Sequence, residues 1–100
     1  MKVKIGKYIW DIKYVNDLFN SFGNTTFSKL EININKNQSK VFLKDTIYHE
    51  IIHAYIKSYG FNKEYYHEEE MVTFITQNKE QFELLTNKVI KGLKNEKEKS

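Results

Sequence analysis

Two hydrophobic periodicities divide the chain near its middle. In the first half apolar residues recur at every second position, the spacing of a strand with one buried face. Val3 and Ile5 alternate with lysines, and Gly6-Lys7 suits a tight hairpin into the next run. That run, Tyr8 to Val15, places Tyr8, Trp10, Ile12 and Tyr14 on one face. Asn16-Asp17 predicts a turn or single helical turn that ends near Gly23, and Leu30, Ile32 and Ile34 alternate with Glu31 and Asn33 as a further strand. Asn35–Ser39 reads as a loop, and Val41-Phe42-Leu43 as a short fourth strand. Beyond it the period changes to that of a helix. Lys44 or Asp45 opens a helix that Gly60 closes, and Asn62 caps the next, which carries Met71, Val72, Phe74 and Ile75 and weakens near Asn78. Phe82, Leu85, Val89 and Leu93 then repeat along one stripe of a third helix or a continuation of the second.

Strands followed by helices define an α+β chain. The expectation is a small antiparallel sheet of about four strands followed by two or three helices. They form one domain over residues 1–93, and the Lys/Glu run 94–100 is a frayed, solvated tail. With 100 residues there is room for one modest core, and seven Tyr and seven Phe let few side chains bury much area. Proline and cysteine are both absent. Disulfides and thiolate metal sites are thereby excluded, and a metal must be held by His, Asp or Glu. The net charge of +3 is spread over lysines that mostly alternate with acids, so a nucleic-acid partner is not expected. No apolar run is long enough to cross a bilayer. Lys2, Lys4 and Lys7 interrupt the apolar stretch that a signal peptide would need, so the expected location is cytoplasmic.

The segment that carries chemistry is Thr46-Ile47-Tyr48-His49-Glu50-Ile51-Ile52-His53-Ala54-Tyr55. Residues four apart on a helix share a face at a rise of about 6 Å. Two imidazoles so placed can converge on one zinc ion at Zn–N distances of about 2.0–2.1 Å. Glu50, about 100° round the axis from His49, points beside such an ion and can take a proton from a water held there. Ile47, Ile51, Ile52, Ala54, Ile56 and Tyr59 surround the helix with apolar residues, the signature of a buried helix. Buried histidines and a glutamate need a partner or a metal. Two of the three histidines in the chain fall in this pattern. A catalytic zinc site needs a third protein ligand as well, and His67, Glu68, Glu69 and Glu70 at the start of the second helix supply candidates. Three consecutive Glu also suit a solvated first turn favoured by the helix dipole. Helical angles put Glu68 nearest the middle of the apolar face but do not decide among them.

His49-Glu50-Ile51-Ile52-His53 resembles the HExxH motif of the zincin metallopeptidases, and Thr46–Ile75 is similar to gluzincin-like proteins, especially the compact ImmA/IrrE-type proteins of phages and mobile elements. The resemblance implies a minimal zincin-like fold, a Zn2+ cofactor, ligands His49, His53 and a glutamate of the next helix, and Glu50 as general base. In such families the ligand Glu is followed by two small or apolar residues and by an apolar one at the fifth position. Glu70-Met71-Val72-Thr73-Phe74-Ile75 fits that frame better than Glu69 does, which selects Glu70. A similarity to SprT-like proteins would select His67 instead. The implied activity is hydrolysis of a peptide bond in a peptide or protein substrate, with an edge strand at Val41–Leu43 to pair with it. The alternative is a zinc-stabilised protein-binding module with little or no hydrolytic activity.

Overall fold

The computed structural model describes the chain apart from residues 17, 19, 20, 61–67 and 100 and the side chains of 68, 69 and 96–99. Four strands, β1 (Lys2–Ile5), β2 (Tyr8–Val15), β3 (Gly23–Thr26) and β4 (Glu31–Asn35), precede three helices, α1 (Lys40–Ser58), α2 (Glu68–Gln77) and α3 (Lys79–Lys99). The architecture is α+β, as the change of period implies. The sheet order is β1-β2-β4-β3. β1 and β2 form the expected hairpin, with Gly6 at φ +63° in its turn, a conformation that costs glycine little. β3 then descends one strand-width away, a 3-10 turn at Phe27–Lys29 reverses the chain, and β4 rises into the slot between β2 and β3. β4 is therefore parallel to β2 and antiparallel to β3, and the sheet is mixed, not antiparallel as expected.

The fourth strand is Gly23–Thr26 and not Val41–Leu43. Gly-Asn-Thr-Thr has no apolar alternation, because β3 is an edge strand whose inward face, Gly23 and Thr25, packs on a helix with small side chains. Val41–Leu43 lies in the first turns of α1. Ser39 caps that helix, its Oγ accepting from the Phe42 N–H at 3.4 Å. This cap opens the helix at Lys40, one turn before Lys44 and Asp45. At the other end Gly60, at φ +77°, follows Tyr59 as the closing residue, in agreement with the sequence. The Asn62 cap lies outside the described residues. α3 continues through Lys94–Lys99, residues of high helix propensity in the segment expected to fray.

Val3, Ile5, Trp10, Ile12, Ile32 and Ile34 form the inner face of the sheet. Ile47, Ile51 and Ala54 of α1 and Val89 and Leu93 of α3 cover it. The buried Trp10 indole donates to Ser58 Oγ at 2.9 Å, which ties the last turn of α1 to β2 and satisfies the ring N–H. A satellite aromatic cluster joins the three helices: Phe82 meets Tyr55 edge-on at 4.7 Å and Phe74 at 6.0 Å. No helix among the described residues is long and apolar enough to cross a membrane.

At Gly23 the sheet comes closest to α1. A Cβ there would stand 2.8 Å from Thr46 Cγ2, 3.1 Å from Glu50 Cγ and 3.2 Å from the Asn33 carbonyl oxygen. The Thr46 methyl is fixed on a helix and the Asn33 oxygen is backbone, so neither can yield without moving β3. Gly23→Ala is therefore expected to lower stability by about 1–3 kcal/mol, the cost of overpacking a close contact. Urea unfolding measures this, and an unchanged midpoint would mean that β3 is free to shift off the helix.

Candidate metal centre

Helix α1 has one buried stripe, Thr46, Ile47, Glu50, Ile51 and Ala54, and is not buried all round. Ile52 and Ile56 are half-buried and Tyr59 is exposed. The apolar residues around its axis face three surroundings: the sheet, α3 and solvent. His49 and His53 lie on the solvent side, with 68 % of the His49 side chain accessible. Only Glu50 of the three polar motif residues is buried, at 6 % exposure.

The two imidazoles nevertheless converge. Their Nε2 atoms are 3.1 Å apart and their rings meet at an interplanar angle of 72°. Two nitrogens on a tetrahedral zinc with bonds of about 2.0–2.1 Å stand about 3.3 Å apart, so the pair is already spaced for one ion. Without an ion, the same separation lets an N–H on one ring donate to the lone pair of the other. Two imidazole nitrogens are donors of the type zinc takes, one short of the three protein ligands of a catalytic zinc site, and there is no thiolate in the chain.

The Glu50 carboxylate is held by a hydrogen bond from the sheet. Thr25, on the inward face of β3, donates its hydroxyl to Oε1 at 2.7 Å, and Oε2 lies 3.9 Å from His49 Nε2. Burying a carboxylate costs free energy unless it is hydrogen-bonded, and Thr25 supplies that bond. The loop before α1 reinforces the same junction: Gln38 Oε1 accepts from Thr46 Oγ1 at 2.9 Å, while Gln38 Nε2 donates to the carbonyls of Asn35 and Phe22. His49 and Glu50 open onto a cleft of about 380 Å³ between the start of β3 and the first half of α1. Phe22 and Phe42 form one wall, stacked at 5.9 Å and each 57 % exposed.

The structure thus brings His49, His53 and Glu50 together. It does not bring Glu70 to them: Glu70 is exposed near the start of α2, and among the described residues no three His, Asp or Glu side chains form a group able to hold a metal. His67 and the side chains of Glu68 and Glu69 lie outside the described residues. Tyr65 and Tyr66 also lie outside them. Tyr48, Tyr55 and Tyr59 do not line this cleft. Burial, and then charge repulsion from the neighbouring Tyr59 phenol, push the Tyr55 phenol above its ordinary pKa. Thr25, Gly23 and the Phe22–Phe42 wall carry no motif signal. They become visible only once β3 is laid against α1. No family model, curated protein or solved structure matches the chain.

Thr25→Val removes the hydroxyl that donates to Glu50 Oε1 and keeps the side chain's shape. It is expected to lower stability at pH 7 by about 1–3 kcal/mol, the range for a buried polar group stripped of its partner. Thr25→Ser keeps the hydroxyl and should lose less. Equal melting temperatures for the Val and Ser variants would show that the bond does not stabilise the fold.

Proposed function

We propose that this chain is a small zinc-dependent peptidase with His49 and His53 as two of the metal ligands and Glu50 as the general base. The observation that carries the reading is the convergence of the two Nε2 atoms at 3.1 Å beside a buried carboxylate that faces an open cleft. A pair of histidines that only decorates a surface has no need of a glutamate fixed behind it by an edge strand. The proposed third ligand is Glu70, chosen from the frame of residues that follow it although this structure does not bring it to the pair, with His67, Glu68 and Glu69 as the alternatives that mutation separates.

Zinc, when bound, supplies Lewis acidity that brings the pKa of water toward about 7 and polarises the scissile carbonyl. The chain's own residues do the rest. Glu50 accepts the proton of the attacking water and returns it to the leaving amine. Thr25 restrains Oε1, so that Oε2 is the oxygen turned toward the imidazoles. β3 is the exposed edge of the sheet beside the cleft, and an extended peptide can pair with it there in place of the strand expected at Val41–Leu43. The wall of Phe22 and Phe42 favours a substrate with a bulky apolar side chain next to the scissile bond.

A second reading is a zinc-stabilised binding module, and one observation favours it. Phe42 and Phe22 expose an apolar surface at the cleft of the kind that partner proteins cover. The two readings part at Glu50. Glu50→Gln is expected to retain zinc and melting temperature, because Gln still accepts from Thr25, while cleavage of a mixed peptide library falls by about 10²–10⁴. A wild type that holds zinc and cleaves nothing moves the protein to the binding-module reading. Loss of zinc from Glu50→Gln would make Glu50 a ligand or a prop and overturn the proposed role.

Removal of any one ligand leaves an incompletely held ion. His49→Ala, His53→Ala and Glu70→Ala are each expected to lose the one zinc per chain seen by elemental analysis, and His67→Ala to keep it. The reverse result for Glu70 and His67 reassigns the third ligand.

A further inference from the structure

A second concavity, of about 710 Å³, lies between the first turns of α1 and the later turns of α3, and it shares no lining residue with the cleft at His49. The two helices run antiparallel there: Leu43 and Ile90 line the same groove, while Tyr55 further along α1 meets Phe82 at the start of α3. Tyr14 at the end of β2, Leu43 and Ile90 provide an apolar floor, each half-buried and packed on the core. Lys36, Lys40, Lys44 and Lys94 surround it.

These four lysines are electrostatically unbalanced. No acidic residue lines the groove among the described residues, and none of the four is in an ion pair with one. The chain has 16 lysines and 13 acids, and four of those lysines line this one groove; Lys44 also borders a neighbouring hollow with Asp45 and Glu83. α1 has no acid in its first turn, and Lys40 stands at the positive end of the helix dipole, where a cation is unfavourable. Lys40 at that end and the mutual repulsion of four lysines around one groove work against folding. Such a local conflict is the mark of a site kept for binding.

We propose that this groove docks an acidic amphipathic segment of a partner protein, its apolar side chains on Tyr14, Leu43 and Ile90 and its carboxylates against the four lysines. The trough between two antiparallel helices suits a third helix laid along it. Single-stranded nucleic acid would need a series of aromatic rings for successive bases, and the floor offers one. A fatty acid would need most of its surface enclosed, which three apolar side chains in an open groove do not provide. The inference does not depend on the peptidase reading, since it uses neither the histidines nor Glu50.

The test uses the full chain and a fluorescein-labelled helical peptide of about fourteen residues, four turns, with Leu and Phe on one face and Glu on the other. Fluorescence anisotropy is expected to show saturable binding that weakens with salt as exposed charge pairs are screened. Replacing each Glu of the peptide by Gln should weaken it at least tenfold, and so should the double variant Lys40→Glu, Lys44→Glu. That variant should melt at or above the wild-type temperature, because acids replace cations at the positive end of α1. If it fails to fold, Lys40→Gln with Lys44→Gln carries the same comparison. No binding of the peptide, or equal binding by the Gln peptide or by the folded variant, overturns the proposal. So does tighter, competing binding of an oligo-dT strand or of phosphatidylserine vesicles, which would make the ligand a nucleic acid or a membrane surface.

Discussion

The contact of β3 with α1 is the constraint on which the site depends. Gly23 lets the strand backbone lie against Thr46 and Glu50 without a side chain between them. Thr25, two residues on and therefore on the same face, then reaches the Glu50 carboxylate at 2.7 Å. A bulkier residue at 23 would hold the strand away and leave a buried carboxylate with no donor. That one approach makes Glu50 the buried member of the motif and sets Phe22, next to Gly23, against Phe42 in the cleft wall. With Oε1 held by Thr25, the other oxygen lies on the imidazole side, 3.9 Å from His49 Nε2.

α1 organises the remainder. Its buried stripe anchors it to sheet and α3, and its ends are fixed by the Ser39 cap and by the Trp10–Ser58 hydrogen bond. The helix then offers two different surfaces to solvent. Near its middle it presents a polar pair with the spacing of a metal site. Near its start it presents lysines over an apolar floor. Neither surface improves the packing of the domain. Lys40 opposes the dipole, and both imidazoles are exposed. A stretch of helix that contributes so little to the fold on two of its sides is where function is to be sought.

Much of this was legible in the chain and some of it was not. Val3, Ile5, Trp10, Ile12, Ile32 and Ile34 were readable as a sheet face, because period-2 alternation reports a strand with one side in a core. Gly60 was readable as a helix stop, since few residues other than glycine accept a positive φ. The pairing of His49 with His53 followed from the four-residue spacing alone. Sequence reasoning failed at β3 and at residues 41–43. Gly-Asn-Thr-Thr looks like loop because an edge strand packed by a glycine and a threonine needs no apolar pattern. Val-Phe-Leu looks like strand because three apolar residues in a row have no period, and the deciding signal, Ser39 as a cap, lies outside the run.

By itself, then, the sequence determined the local conformations that steric and periodic preferences dictate, the class of the fold, and the two imidazoles and carboxylate of one helix. These depend on residues within a turn or two of one another. The tertiary structure decided the rest: a parallel β2–β4 pair, the identity of the edge strand, the burial of Glu50 beside exposed histidines, the gathering of Lys36, Lys40 and Lys44 with Lys94 from the far end of the chain. Each of these joins residues distant along the chain, where pairing and packing are set by which surfaces remain to be buried after the local elements have formed. Spacing within a segment carries no information about that choice.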